Sequence, residues 1–211
     1  MIQHLLQLIW NQRKQNAWLW AELLLVSVFL WFLVDYLYVM GRTYTAPLGF
    51  DIRHTYSIVI SSLSERSPDY IPKEKRERPD GVHLLTALDR IRTYPGVESA
   101  CLTDGGMPYY MGSRNLVWRI DTLQVPCRYA FVTPEFFDVF RIYDKDGKTA
   151  SLKRAIEDNN SIVISADVET MNPGLSLLGQ KAYRGNVTDE IEETIRGISV
   201  PIRRHEYTKA E

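Results

Sequence analysis

The chain has 211 residues, 45% of them hydrophobic, with a formal net charge of -1 and a pI near 6.4. So balanced a charge excludes a nucleic-acid partner held by bulk electrostatics. At roughly 100–200 residues per domain, the length allows one domain, or one domain with an appendage.

The apolar residues are unevenly placed. Residues 1–16 carry Ile2, Leu5, Leu6 and Ile9 at the i, i+3, i+4, i+7 spacing of an amphipathic helix. Such a leader can lie in a membrane interface or pack against membrane helices. Residues 17–40 follow as the most apolar stretch. Leu23 to Val34 is unbroken apart from Ser27, and alone is shorter than the roughly 20 residues a membrane span needs. The run becomes long enough when it extends from Trp18 to Tyr38, which places Glu22 and Asp35 within a turn of its ends. Carboxylates there can reach the headgroups, at far lower cost than at the bilayer centre. Trp18, Trp20, Trp31, Tyr36 and Tyr38 crowd the ends as interfacial aromatic belts do. A buried core helix would need more protein to wrap it. A cleaved signal peptide would need a small, neutral residue near Asp35. An uncleaved signal anchor fits better. Arg13 and Lys14 precede the span and Arg42 follows it, which favours a cytoplasmic N-terminus.

Residues 41–54 read as an exit linker, and 55–211 as an extracytoplasmic domain. Thr55–Ser61 (TYSIVIS) is β-branched and predicts a strand. The charged, Pro-rich run from Ser64 to Gly81 predicts a solvated loop, because the charges of Lys73, Glu74, Lys75, Arg76, Glu77 and Arg78 cancel locally. Asp80 can cap a helix over His83–Arg92, with Leu84, Leu85, Leu88 and Ile91 on one face and Pro95-Gly96 as its stop. Val97–Leu102 and Leu116–Ile120 predict strands. Val125, Cys127, Tyr129 and Phe131 alternate with their neighbours and predict another. In FVTPEFFDVF, Thr133 suits an N-cap, Pro134 the first helical position and Glu135 the positive end of the helix dipole. A short helix anchored by Phe136, Phe137 and Phe140 follows. Ser161–Ser165 (SIVIS) predicts a buried strand, Ala166–Met171 a short helix, and Lys181–Arg184 and Gly197–Ile202 strands or turns. The order implies an α+β fold, a mixed sheet with helices on one face. No internal repeat stands out.

Catalytic and metal motifs are absent. There is no phosphate-cradling G-x-x-x-x-G-K-[ST], no H-E-x-x-H, no Cys/His pair at metal spacing and no G-x-S-x-G. The chain therefore reads as a non-enzyme with no cofactor of its own. DKDG at Asp144–Gly147 reads as a turn rather than a calcium loop, lacking the closing acids. Cys101 and Cys127 both fall on predicted strands. They are either a disulfide permitted by an oxidising compartment or two small buried hydrophobes.

Four motifs in order resemble the periplasmic core domain of MacB-like and FtsX-like ABC transporter permeases. They are YPGVESA (Tyr94–Ala100), FVTPEFFDVF (Phe131–Phe140), SIVIS (Ser161–Ser165) and LGQK (Leu178–Lys181). The family-motif core is then Val132, Pro134, Phe136, Phe137, Phe140, Gly179 and Lys181. The turn Arg141–Lys148 departs from the family's Gly-rich one. The resemblance implies an inner-membrane permease subunit with its main domain in the periplasm. Its motion would be driven by a separate cytoplasmic ABC ATPase subunit and passed to an adaptor or effector protein. The resemblance further implies a dimer, and three more spans beyond Glu211, so that the sequence reads as an amino-terminal portion. The competing reading is a single-span, membrane-anchored binding or sensor domain.

Overall fold

The computed structural model describes every residue except 1, 13, 15, 16, 62, 77, 78, 111, 113, 185–189, 204 and 207–211. It divides into two compact units, Met1–Ala46 and Pro47–Glu211.

The first unit holds helix α1 (Ile2–Asn11) and helix α2 (Ala17–Thr45). The apolar face expected from Ile2, Leu5, Leu6 and Ile9 lies outside the described side chains, as does Arg13 of the charge argument. Helix α2 has 29 residues and buries none of them. At 1.5 Å per residue it is about 43 Å long, more than the roughly 30 Å of a bilayer's hydrocarbon. It is thus long and apolar enough to cross a membrane. Its one mid-span hydroxyl, on Ser27, donates to the Leu24 carbonyl at 2.8 Å, so that hydroxyl is satisfied within the helix itself. The helix continues past Met40 to Thr45, whose hydroxyl donates back to the Gly41 carbonyl at 3.0 Å. The first turn of the expected linker is therefore helical.

The second unit is an α+β fold. Its helices are α3 (Asp80–Arg92), α4 (Phe136–Val139), α5 (Ala150–Ala155) and α6 (Asp167–Met171). Its strands are β1 (Thr103–Asp104), β2 (Arg114–Ile120), β3 (Leu123–Tyr129), β4 (Phe131–Val132), β5 (Ser161–Ser165), β6 (Lys181–Arg184) and β7 (Ile191–Ser199). Strands β1 and β4 pair with each other. The other five form a sheet in the order β3-β2-β6-β7-β5. Only β5 and β7 run parallel, so the sheet is mixed.

Period-2 alternation explains the inner face of this sheet. Trp118 lies opposite Val125 on one side and Arg184 on the other, Ile120 opposite Ala182, and Ala182 opposite Glu193. Trp118, Ile120, Ala182, Leu177 and Ile195 form one buried cluster. Phe136, Phe137, Phe140, Ile142 and Leu152 form a second. Strand β5 serves both, with Ile162 and Ile164 packing on the first and Val163 on the second. At Gly197 of β7 a Cβ would stand 2.9 Å from Val163 and 3.1 Å from Ala155. Only glycine lets α5 approach the β5–β7 pair this closely.

Several sequence expectations change. Thr55–Ser61 is not a strand. It belongs to no helix or strand, is exposed from Tyr56 onward, and has no ladder there to another strand among the described residues. Val97–Leu102 is not a strand either, because it docks by isolated bonds. Arg92 Nε donates to the Ala100 carbonyl at 3.1 Å, and the Leu102 amide to Thr133 Oγ1 at 3.1 Å. Helix α5 was not anticipated, and β7 starts at Ile191 rather than Gly197. On α3 only Leu88 of the expected apolar face is buried; Leu84 and Leu85 remain exposed. Asp80 is the first helical residue, not a side-chain cap. In the charged loop, Glu77 and Arg78 lie outside the described residues.

Candidate functional site

Two places in the second unit are candidates for a site. The first is the turn from β4 into α4. Thr133 does not cap α4, since its hydroxyl is taken by the Leu102 amide while its own amide donates to the Leu102 carbonyl at 3.0 Å. This reciprocal pair holds the segment following YPGVESA against the start of FVTPEFFDVF. Arg92 of α3 reaches Glu135 at 2.5 Å and makes a second tie. Pro134 and Val132 are half-buried. Phe136, Phe137 and Phe140 are buried, with the Phe136 and Phe140 rings 4.8 Å apart. Asp138 faces away from them and accepts from Thr149 Oγ1 at 2.6 Å and from Lys153 at 2.5 Å. Burial pushes the Asp138 carboxyl up, but these donors outweigh it and hold it below the usual range.

The chain leaves α4 through Arg141, at a positive φ of 50°. Arg141 binds Asp51 at 2.7 Å, and the Asp51 amide donates to the Phe140 carbonyl at 2.9 Å. Asp51 is held well below the usual carboxylate range, chiefly by the Arg53 side chain and amide, with Arg141 adding to this. The neighbouring Gly49 has a φ of 81°, and a Cβ there would lie 2.0 Å from the Pro201 carbonyl oxygen. DKDG is a turn, as expected. Asp144 accepts the amides of Asp146 and Lys148, and Gly147 supplies the positive φ of 76°.

LGQK brings the chain into β6. Gly179, at a φ of 83°, donates its amide to the Ile195 carbonyl at 2.8 Å. Lys181 is exposed and pairs with Glu192 across β6–β7 at 2.7 Å. Gly179 and Lys181 thus build the entry to β6, while Val132, Phe136 and Phe137 also line the cavity described next.

The second place is a cavity of about 510 Å³ between the two core clusters. Trp118, Phe131, Phe136, Ile162, Arg184 and Glu193 contribute to its wall. Glu193 is only 7% exposed. Arg184 Nη2 donates to its Oε1 at 3.1 Å, and among the described residues Oε2 has no hydrogen-bond partner. The guanidinium sits 5.6 Å from the Phe131 ring centre and 6.0 Å from that of Trp118. Burial raises the Glu193 carboxyl above its ordinary value, and Arg184 only partly offsets this. The sequence reading missed this pair because it began the last strand at Gly197. The signal was available: Glu193, Ile195, Gly197 and Ser199 share one phase, which puts a carboxyl at an apolar position.

Of the two readings open for the cysteines, the structure shows the two small hydrophobes and not the bridge. Both cysteines are free. Cys101 packs on the phenylalanine cluster and Cys127 on the Trp118 cluster. Burial pushes both thiols up to about 11, so they behave as small hydrophobes rather than reactive thiolates. Among the described residues no group of His, Cys, Asp and Glu is arranged to hold a metal.

No family model matches the chain, and no curated protein matches it. Among solved structures, one similar chain is a domain of a provisionally designated permease protein from Porphyromonas gingivalis. The two share 18% identity and a TM-score of 0.42, over 56% of this chain and 45% of that one. The chain thus spans under half of that domain's length, and so low a TM-score carries no argument about fold or role.

Proposed function

We propose that this protein is a permease-type subunit of an ABC export or mechanotransmission system. In this reading α2 anchors it in the bacterial inner membrane with its N-terminus cytoplasmic, and the α+β unit works on the periplasmic side. A separate ATPase subunit hydrolyses nucleotide, and an adaptor or effector protein receives the motion. The observation that carries the reading is the run of four family motifs behind an apolar helix of spanning length. Support also comes from the roles those motif residues take. Phe136, Phe137 and Phe140 close one core, and the amide of Gly179 joins the turn before β6 to β7. In this reading those residues stiffen the domain through which the motion passes.

The test has two arms on the full chain. Alkaline carbonate should leave it in the membrane pellet, and protease added from the periplasmic side should digest the second unit. Affinity purification from mild detergent should then recover an ATPase subunit. Extraction by carbonate would overturn the membrane reading. Stable membrane insertion without any ATPase would favour the second reading, a membrane-anchored binding or sensor domain. The cavity beside Arg184 and Glu193 is the observation that favours that alternative.

A further inference from the structure

The pentapeptide Ser-Ile-Val-Ile-Ser occurs twice, at Ser57–Ser61 and at Ser161–Ser165. The second copy is β5, an edge strand hydrogen-bonded to β7 alone among the described strands. The first copy belongs to no helix or strand, has no ladder among the described residues, and leaves Ile58 64%, Val59 87% and Ile60 47% exposed.

The two edges of the five-stranded sheet differ. The β3 edge carries Pro126, with Gln124 and Arg128 exposed beside it. Proline and charge are the usual means of blunting an edge against further pairing. The β5 edge carries neither, only small hydroxyls and β-branched apolar residues. An uncharged, largely apolar edge of this kind is a template for an added strand.

We infer that Ser57–Ser61 of one copy adds to the open edge of β5 in a second copy of this chain, and reciprocally, giving a two-fold symmetric dimer. The pentapeptide is a palindrome, so its two copies match centre on centre whether they run parallel or antiparallel. Val59 then stands opposite Val163, and Ile58 and Ile60 opposite Ile162 and Ile164. The side-chain faces also agree. The added isoleucines extend the Trp118 cluster, on which Ile162 and Ile164 pack, and the added valine extends the phenylalanine cluster, on which Val163 packs. Neither strand contributes a charge to the junction. A second copy is the occupant because the chain's own segment stands exposed and unpaired in the folded unit, while every other copy offers a sequence identical to the edge it must match. This dimer does not depend on the permease reading.

The test uses the full chain in native membranes. One tagged population carries Val59→Cys and a differently tagged one Val163→Cys, with unmodified chains as the control for Cys101 and Cys127. Mild copper-phenanthroline oxidation should join the two tags in one band, absent from the control. In detergent, Val59→Pro should weaken dimerisation at least about tenfold, because proline removes a ladder donor. Its monomer should keep the unmodified circular dichroism and unfolding temperature, since Val59 packs on nothing there. Absence of the mixed band would overturn the inference. So would a cross-link that forms only within a chain carrying both cysteines, which would seat the segment on its own sheet. A dimer indifferent to Val59→Pro would overturn it as well.

Discussion

Ser161–Ser165 and Ser57–Ser61 have the same five residues and opposite fates. The first sits in register beside β7, with Ile162 opposite Ile195 and Val163 opposite Gly197. The second runs through solvent with Val59 87% exposed. Strand propensity is identical, so propensity cannot be what separates them. The difference lies in the neighbours: β7 gives Ser161–Ser165 a ladder, and α5 and the two clusters give it apolar surface, while among the described residues Ser57–Ser61 is laddered to no strand of its own unit. Sheet formation here is a property of partners, as the context dependence of β-propensity leads one to expect.

That account can be broken by attacking the neighbours. The largest effect should come from Ile195→Ala, which removes the fully buried partner of Ile162. A loss of about 2–5 kcal/mol is expected in urea unfolding of the full chain, from transfer and cavity terms together. A cost under about 0.5 kcal/mol, the range of a surface change, would mean that β5 is held by something else. Next comes Gly197→Ala. Its Cβ would press on Val163, Ala155 and Leu152 at 2.9, 3.1 and 3.3 Å, and overpacking should cost about 1–3 kcal/mol.

Glu193→Gln sharpens the comparison through pH. The folded carboxyl is raised above the ordinary 4.5 by burial. The stability it contributes is therefore full below that ordinary value and lost as pH rises through the raised one. Glutamine is neutral throughout, so the stability difference, variant minus unmodified chain, should rise with pH across that window and level off below 4.5. A pH-independent gap between the two unfolding curves would contradict the raised carboxyl. The smallest effect belongs to the unpartnered pentapeptide. Ile58→Ala should shift unfolding of the monomeric chain by no more than about 0.5 kcal/mol, as surface changes do. Here the informative outcome is the contrast with Ile195→Ala.

Legibility of the sequence followed the range of the interactions involved. The period-2 run through Cys127 is β3 and the anchors Phe136, Phe137 and Phe140 are buried, because each of these patterns is carried within a few residues. The reading failed where a distant group competes. Thr133 has the chemistry of a cap, yet the Leu102 amide claims its hydroxyl. For Cys101 and Cys127 the sequence left a bridge and two buried hydrophobes open, and the fold decides by assigning them to different clusters. Glu193 was overlooked because a charge looks like a surface residue until its strand's phase is known.

By itself the sequence determined an apolar rod of spanning length, the alternating strands and the aromatic anchors. In each case the local spacing of side chains states which face must leave water. Only the tertiary structure decided which Ser-Ile-Val-Ile-Ser finds an edge, which carboxyl is enclosed beside Arg184, and that the two sulfurs lie apart. Those outcomes depend on which segments far apart in the chain are brought together, and spacing along the chain does not encode that.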